Sequence, residues 1–130
     1  MIGLDTNILV RLITQDEPAQ SLRAEEFLRT LSAEMPGFIT LVSLIELIWV
    51  LRGRYRMDKT QLILCLERLL DSPELNVENQ ETVSQALRRF ASPKADFADC
   101  LIERSGYLSG CSETVTFDTD ASRFAGMRLL

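Results

Sequence analysis

The sequence predicts an α/β fold with a mainly parallel central sheet flanked by helices. Short runs of β-branched and apolar residues alternate along the chain with longer segments that carry apolar residues at helical spacing. The chain has 130 residues, of which 46% are hydrophobic and 25% are charged. That length can bury one substantial core but is short for two domains. We therefore expect a single domain over residues 1–130.

The first half of the chain predicts two strands and four helices in alternation. Strands are expected at residues 1–5 and 38–40. Helices are expected at residues 6–14, 16 to about 33, 43 to about 55, and from 58 to the break at Ser72-Pro73. Asp16-Glu17-Pro18 marks the start of the second helix, because an acidic N-cap is followed by proline in the first turn.

The second half of the chain repeats this alternation. Strands are expected at residues 75–77 and 114–117, with a possible edge strand at 128–130. Helices are expected at residues 80–90, 96 to about 108, and near 122–124, where Asp120 would start the last one. In an open parallel sheet, functional sites form at the carboxyl ends of the strands.

Composition excludes several classes of site. The chain has no histidine, so the usual general base, zinc ligand and triad partner are absent. Its three cysteines are far apart in sequence and are predicted to be reduced thiols that fill the core. No segment is long enough to span a membrane, and the N-terminus lacks the basic start of a signal peptide. We expect a cytoplasmic protein.

The charge balance alone does not decide whether a nucleic acid is a partner. The net charge of −5 opposes binding to a polyanion. If four acids bound two divalent ions, however, the charge would move to about −1. The basic residues are nearly all arginine, the better bidentate phosphate ligand, since Lys59 and Lys94 are the only lysines.

Four carboxylates lie in or beside apolar segments, where an acid is costly unless it is paired, protonated or bound to a metal. They are Asp5, Glu46, Asp99 and Asp118. Two of them end predicted strands, and the other two are expected in the first turns of helices that can reach the same crevice. Such acids would repel one another, and a shared divalent cation is the simplest remedy. Oxygen ligands favour Mg²⁺ or Mn²⁺, which can activate water for attack on a phosphodiester.

Each acid also has an ordinary structural explanation. Asp5 would be the N-cap of the first helix. Glu46 would complete a capping box with Ser43. Asp96 would cap the sixth helix and place Asp99 in its first turn. The last helix would be capped by Asp118 or Asp120. Taken singly, these explanations compete with the metal hypothesis on equal terms.

The motifs around these acids, taken together, resemble a known family. In chain order they are Leu4-Asp-Thr-Asn-Ile8, Ser43-Leu-Ile-Glu46, Asp96-Phe-Ala-Asp99-Cys-Leu-Ile102 and Val115-Thr-Phe-Asp118-Thr-Asp120. This set resembles the PIN domain family, and within it the VapC-type toxins of bacterial toxin–antitoxin pairs. Each motif is weak alone, but all of them occur in order across essentially the whole chain.

The resemblance implies a metal-dependent ribonuclease with a Rossmann-like sheet, which is usually a homodimer inhibited by a small antitoxin. The positions matching the acidic site are Asp5, Glu46, Asp99 and Asp118. Asp5 and Asp99 are expected to be direct metal ligands, while the other two hold a second ion or a water. The accessory positions that match are Asn7, Asp96, Thr116 and Asp120. We expect cleavage to leave a 5′-phosphate and a 3′-hydroxyl.

A basic segment at the end of the third helix is the candidate RNA contact. Its cations are Arg52, Arg54 and Arg56, and Arg11 is an alternative phosphate contact near Asp5. The competing explanation is that cations suit a helix C-terminus. Trp49 is expected in the core, although apolar residues of the third and fourth helices can instead form a dimer face or an antitoxin groove.

Two rival functions remain open at this point. A catalytically inactive PIN-fold protein would bind RNA or act as a scaffold without cleaving. A phosphohydrolase with Asp5 as covalent nucleophile would need a second aspartate two residues on. This chain has Asn7 there, which argues against the second rival.

Overall fold

The computed structural model describes residues 1–130 and contains seven helices and five short strands. The strands are β1 (Ile2–Gly3), β2 (Gly37–Ile39), β3 (Leu75–Val77), β4 (Val115–Thr116) and β5 (Arg128–Leu129). The helices are α1 (Thr6–Thr14), α2 (Pro18–Leu28), α3 (Leu41–Gly53), α4 (Lys59–Asp71), α5 (Gln80–Phe90), α6 (Phe97–Leu108) and α7 (Thr119–Phe124). The predicted α/β class is confirmed. The chain groups into two compact units, Met1–Glu78 and Asn79–Leu130.

The first unit is a three-stranded parallel sheet with its helices. The strands lie in the order β1-β2-β3, with Ile2 opposite Gly37 and Gly37 opposite Leu75. Two helices connect each pair of neighbouring strands, as parallel pairing requires a crossover. The helices bury leucines and isoleucines against the sheet and against each other. The fully buried side chains of this unit include Leu9, Ile39, Leu44, Leu47, Leu51, Leu62 and Leu66.

The second unit pairs β4 with β5 in parallel and packs α5 against α6. The rings of Phe90 and Phe97 meet edge to face with centroids 5.5 Å apart. The buried carboxylate of Glu103 accepts hydrogen bonds from Arg89 Nη1 at 3.0 Å and from Arg104 Nη2 at 2.7 Å. The Arg104 side chain holds the pKa of Glu103 below its usual range, so this buried acid is kept ionised by its partners.

Most predicted element positions are confirmed, including the acidic cap and first-turn proline of the second helix, but that helix ends earlier than predicted. It begins at Pro18 with Glu17 as its N-cap, whose side chain accepts from the Gln20 amide at 2.8 Å. Asp16 does not cap the helix, because its carboxylate accepts hydrogen bonds from other side chains. The helix ends at Leu28 and not near residue 33, since the chain tightens into a turn there with Thr30 N bonded to Phe27 O.

Two predicted helix starts were wrong. Helix α3 begins at Leu41, and its N-cap is Thr40, whose side chain accepts from the Ser43 amide at 3.1 Å. Ser43 and Glu46 therefore form no capping box, and Glu46 lies in the second turn, not the first. Helix α7 is capped by Asp118, one of the two alternatives, and begins before the predicted start at Asp120.

Two predictions about buried side chains were also wrong. Trp49 is 60% exposed, because Leu47, Ile48 and Leu51 occupy the inner face of α3. Of the three cysteines only Cys100 is buried; Cys65 is partly exposed and Cys111 is exposed. None of the helices combines the length and apolar character that crossing a membrane requires.

Gly126, just after α7, is a position where a side chain should be costly. Its φ of +82° favours glycine, and a Cβ there would collide with Arg89 Nη1. Arg89 cannot move away cheaply, since the same nitrogen donates to Glu103 and to the Ala125 carbonyl at 2.9 Å. We expect Gly126→Ala to destabilise the protein by about 1–3 kcal/mol.

Thermal denaturation of the variant checks this expectation. Gly53→Ala is the matched control, because nothing lies within 4 Å of a Cβ at that helical position. That change should leave the melting temperature unchanged or raise it. A Gly126→Ala variant as stable as the wild type would contradict the proposed strain.

Candidate active site

Asp5 follows strand β1 and starts helix α1. Its Oδ1 accepts the backbone N–H of Thr6 at 2.8 Å, so the predicted capping role is confirmed. The side chain is exposed, and its other carboxylate oxygen has no hydrogen bond within the protein. Capping therefore fixes the direction of Asp5 while leaving it an oxygen for another ligand.

Glu46 is held from the side of α1. Its Oε1 accepts a hydrogen bond from Oγ1 of the buried Thr6 at 3.3 Å. This contact joins the start of α1 to the second turn of α3. The sequence interpretation missed Thr6, although it lies between Asp5 and Asn7 in the first motif.

Both acids line one cavity of about 290 Å³. Thr6, Asn7, Val10, Arg11, Val50, Arg54 and Tyr55 complete its lining. The structure thus brings two of the predicted acids together with two of the four arginines predicted to contact RNA. Arg52 and Arg56 do not line this cavity. Carboxylates, which suit a cation, and guanidinium groups share one recess.

The acids of the second unit also start helices. Asp96 caps α6, and its Oδ1 accepts from the Asp99 amide at 2.9 Å, which confirms its predicted cap. Asp118 accepts from the Ala121 amide at 2.9 Å, and its own amide donates to Oγ1 of Thr116 at 3.0 Å. Thr116 therefore orients the backbone that carries Asp118. Asp120 lies exposed in the first turn of α7.

Among the acids predicted to form the site, Asp99 is the one whose pKa is shifted. Burial raises its pKa above the usual range, and the nearby charges of Asp96 and Asp118 raise it further. A carboxylate in the first turn of a helix is normally favoured by the helix field. Burial and like charge outweigh that effect here, and a bound cation would relieve both.

The oxygen-only donor set fits a hard divalent cation. Asp5, Glu46 and Asp118 are exposed and Asp99 is partly buried, so each of these side chains is accessible to solvent. Within each compact unit, no group of three or more acidic or cysteine side chains is arranged to hold a metal ion. The four-acid ligand set therefore stays a prediction.

Comparison with known proteins identifies the family that this fold and these motifs belong to. The PIN domain family matches residues 2–127, almost the whole chain. The chain belongs to the PIN domain family, which confirms the resemblance drawn from the four motifs. A VapC ribonuclease from Aquifex aeolicus (strain VF5) is 25% identical over 116 residues, covering 88% of this chain and 84% of the relative.

The raised pKa of Asp99 predicts how stability should depend on pH without metal. The pKa of Asp99 is higher in the folded protein than in the unfolded chain. The free energy of unfolding therefore falls as pH rises above the pKa of Asp99 in the unfolded chain, where the unfolded form ionises more readily. The penalty is fully present at neutral pH and disappears when both states are protonated. We expect Asp99→Asn to raise the melting temperature in EDTA at about pH 7 and to lose this advantage near pH 3.

Denaturation scans of wild type and variant across this pH range make the comparison. Glu34→Gln is the matched control, because Glu34 is exposed and unpaired. Its melting temperature should follow the wild type at every pH. An Asp99→Asn variant less stable than the wild type at neutral pH would argue that the carboxylate has a stabilising partner.

Proposed function

We propose that this protein is an endoribonuclease that depends on Mg²⁺ or Mn²⁺ and hydrolyses RNA phosphodiester bonds. The observation that carries the proposal is the shared cavity of Asp5, Glu46, Arg11 and Arg54. Membership of the PIN domain family and the relative described as a VapC ribonuclease support the same class of reaction.

The proposed cation ligands are Asp5, Glu46, Asp99 and Asp118. When bound, a divalent cation would supply a charge that lowers the pKa of water and steadies the leaving oxygen. The cap on Asp5 orients that carboxylate, and the Thr6 hydroxyl holds Glu46. Burial and the charges of Asp96 and Asp118 raise the pKa of Asp99, and a neighbouring positive charge would offset these effects.

The accessory residues act by orientation in this proposal. Asp96 fixes the start of α6 and so the direction of Asp99. Thr116 holds the backbone amide of Asp118. Asn7 supplies a polar group to the cavity beside Asp5. Asp120 stands two residues after Asp118 and would bind water around the ion.

We further propose that the protein is the toxin of a type II (VapBC) pair, acting in the cytoplasm and inhibited by a small VapB-like antitoxin. A second cavity of about 350 Å³ supports a peptide partner. Its lining combines the apolar side chains of Ile8 and Phe27 with the cation Arg23. An amphipathic segment with acidic side chains would complement this surface.

A homodimer is the proposed oligomeric state. Val42 and Trp49 are 67% and 60% exposed, and they lie two turns apart on α3. Exposed large apolar side chains on one helix face are typical of a surface that a partner covers. This is one of the alternatives that the sequence left open for the third helix.

Light scattering after size-exclusion chromatography tests the dimer. We expect the wild type at twice the chain mass of 14.7 kDa and Trp49→Ser at the monomer mass. Leu22→Ser is the control, since Leu22 is similarly exposed but lies on α2. A monomeric wild type would overturn the dimer proposal. A dimeric Trp49→Ser variant would show that the interface does not depend on Trp49.

The alternative function is a catalytically inactive PIN-fold protein that binds RNA or serves as a scaffold. One observation favours it: neither compact unit alone presents a group of three acids arranged to hold a metal. The phosphohydrolase alternative has lost its basis, because the chain belongs to the PIN domain family.

Cleavage of a mixed-sequence single-stranded RNA tests the nuclease. We expect products in Mg²⁺, none in EDTA, and a loss on the order of 100-fold or more in Asp5→Asn, which removes a ligand charge and little volume. Asp58→Asn is the matched control, because Asp58 is also an N-cap aspartate but starts α4. Asparagine caps helices well, so neither variant should unfold.

The outcomes separate the two functions. Cutting that survives EDTA or the Asp5→Asn change would point to a contaminant or to another site. Equal losses in Asp5→Asn and Asp58→Asn would attribute the effect to capping. Absence of both cleavage and Mg²⁺ binding by the wild type would favour the scaffold.

A further inference from the structure

We propose that the cavity lined by Asp5 and Glu46 binds a single-stranded RNA segment through two neighbouring residues. Arg54 would contact a backbone phosphate, and Tyr55 would stack on an unstacked base. Arg11, although it lines the same cavity, is a positioning residue for Tyr55 and not a phosphate ligand. The inference rests on the proposed ribonuclease function and narrows its substrate class.

Arg11 is already engaged within the protein. Its Nη1 donates to Asp16 Oδ1 at 2.9 Å, and its Nε donates to Gln20 Oε1 at 2.7 Å. The ion pair with Asp16 compensates the charge of Arg11. A phosphate at Arg11 would compete with Asp16 for the charge of this guanidinium, so Arg11 is less suited to bind one than an arginine without a carboxylate partner.

Arg54 is the cavity arginine without a carboxylate partner. It is the exposed residue that follows α3, and its guanidinium lies over the Tyr55 ring, 5.9 Å from the centroid. That separation is at the outer limit of a cation–π contact, so the guanidinium keeps its hydrogen-bond donors for a ligand. Arg54 shares the cavity with two carboxylates but is not paired with either. Such an arginine suits a polyanion whose reacting group is bound at those carboxylates.

Tyr55 is fixed by the same network that engages Arg11. Its hydroxyl donates to Asp16 Oδ2 at 2.5 Å, while Thr14 Oγ1 donates to Asp16 Oδ1 at 2.8 Å. Asp16 thus links the end of α1 and the segment after α3, and it orients the aromatic ring that lines the cavity. A fixed ring is a good stacking surface because little conformational freedom remains to be lost on binding.

The aromatic ring selects the form of the nucleic acid. In a duplex the bases are stacked on each other, whereas bases in a single strand, loop or bulge can stack on a protein ring. Glu46 and Val50 lie one turn apart on α3, and Arg54 is the C-cap residue one turn further on, so Arg54 lies about 12 Å from Glu46 along the helix axis. We therefore assign Arg54 to a phosphate that flanks the cleaved one.

The phosphate contact is tested by binding of a short fluorescein-labelled single-stranded RNA in EDTA, measured by anisotropy over a series of salt concentrations. Arg54→Ala should weaken binding and reduce the slope of log affinity against log salt by about 0.7, the loss of one phosphate contact. Arg54→Lys should restore the slope. The matched control is Arg56→Ala, a neighbouring exposed arginine outside the cavity, which should keep the wild-type slope.

The base contact is tested with a second strand of equal length whose bases are removed. Tyr55→Ala should weaken binding of the ordinary strand about tenfold and leave the abasic strand unaffected. Arg11→Ala should weaken the ordinary strand while keeping the salt slope, since Arg11 acts through Tyr55. Tyr107→Ala is the control, because Tyr107 also stacks with an arginine, 4.5 Å from Arg104, but lies on α6.

Equal salt slopes for Arg54→Ala, Arg56→Ala and the wild type would overturn the phosphate assignment. A Tyr55→Ala effect that is the same on both strands, or absent, would overturn the base assignment, and a reduced slope in Arg11→Ala would overturn its positioning role. In each case, magnesium-dependent cleavage that is lost in Asp5→Asn would still support the proposed nuclease function. RNA binding with the expected slopes but without cleavage would instead support the strand site and reject the nuclease.

Discussion

Helix capping by aspartate is the interaction on which both the fold and the candidate site depend. Three aspartates each accept a hydrogen bond from a backbone N–H at the start of a helix. Asp5 caps α1, Asp96 caps α6 and Asp118 caps α7. A capping carboxylate is bound through one oxygen, and its direction is set by the helix that it starts. The fold thus sets the direction of these three acids through the helices that they start.

Capping also explains why the structural and functional explanations of these acids do not exclude each other. From sequence they compete, since a single role accounts for each aspartate. In the structure Asp5 caps α1 and also lines a cavity with Glu46, an acid that caps nothing. Glu46 is the more informative residue, because an exposed carboxylate in the second turn of an apolar helix has no role in starting that helix. Its contact is the Thr6 hydroxyl, next to Asp5.

The sequence predicted the strands and most helix limits because those limits are set locally. Capping aspartates determine where α4 and α6 begin, and the starts of α4, α5 and α6 were each located to within a residue. Tertiary contacts decide what local signals leave open. Asp16 and Glu17 both fit the predicted acidic cap of α2; Glu17 takes this role, while Arg11, Thr14 and Tyr55 hold the carboxylate of Asp16. Trp49 has helical spacing with buried leucines, yet periodicity cannot distinguish a core face from a face that a partner covers.

The same tertiary contacts decide what the charges can do. The sequence offered the segment containing Arg52, Arg54 and Arg56 as the candidate RNA contact and Arg11 as an alternative phosphate contact. The structure separates them by their partners and positions: Asp16 neutralises Arg11, and Arg52 and Arg56 lie outside the cavity lining. An acidic protein with net charge −5 can still present a phosphate contact, because affinity depends on uncompensated cations where the strand lies and not on total charge. The carboxylate that removes Arg11 from this role is the one that fixes Tyr55, so one acidic side chain lowers the charge of the cavity and orders its aromatic ring.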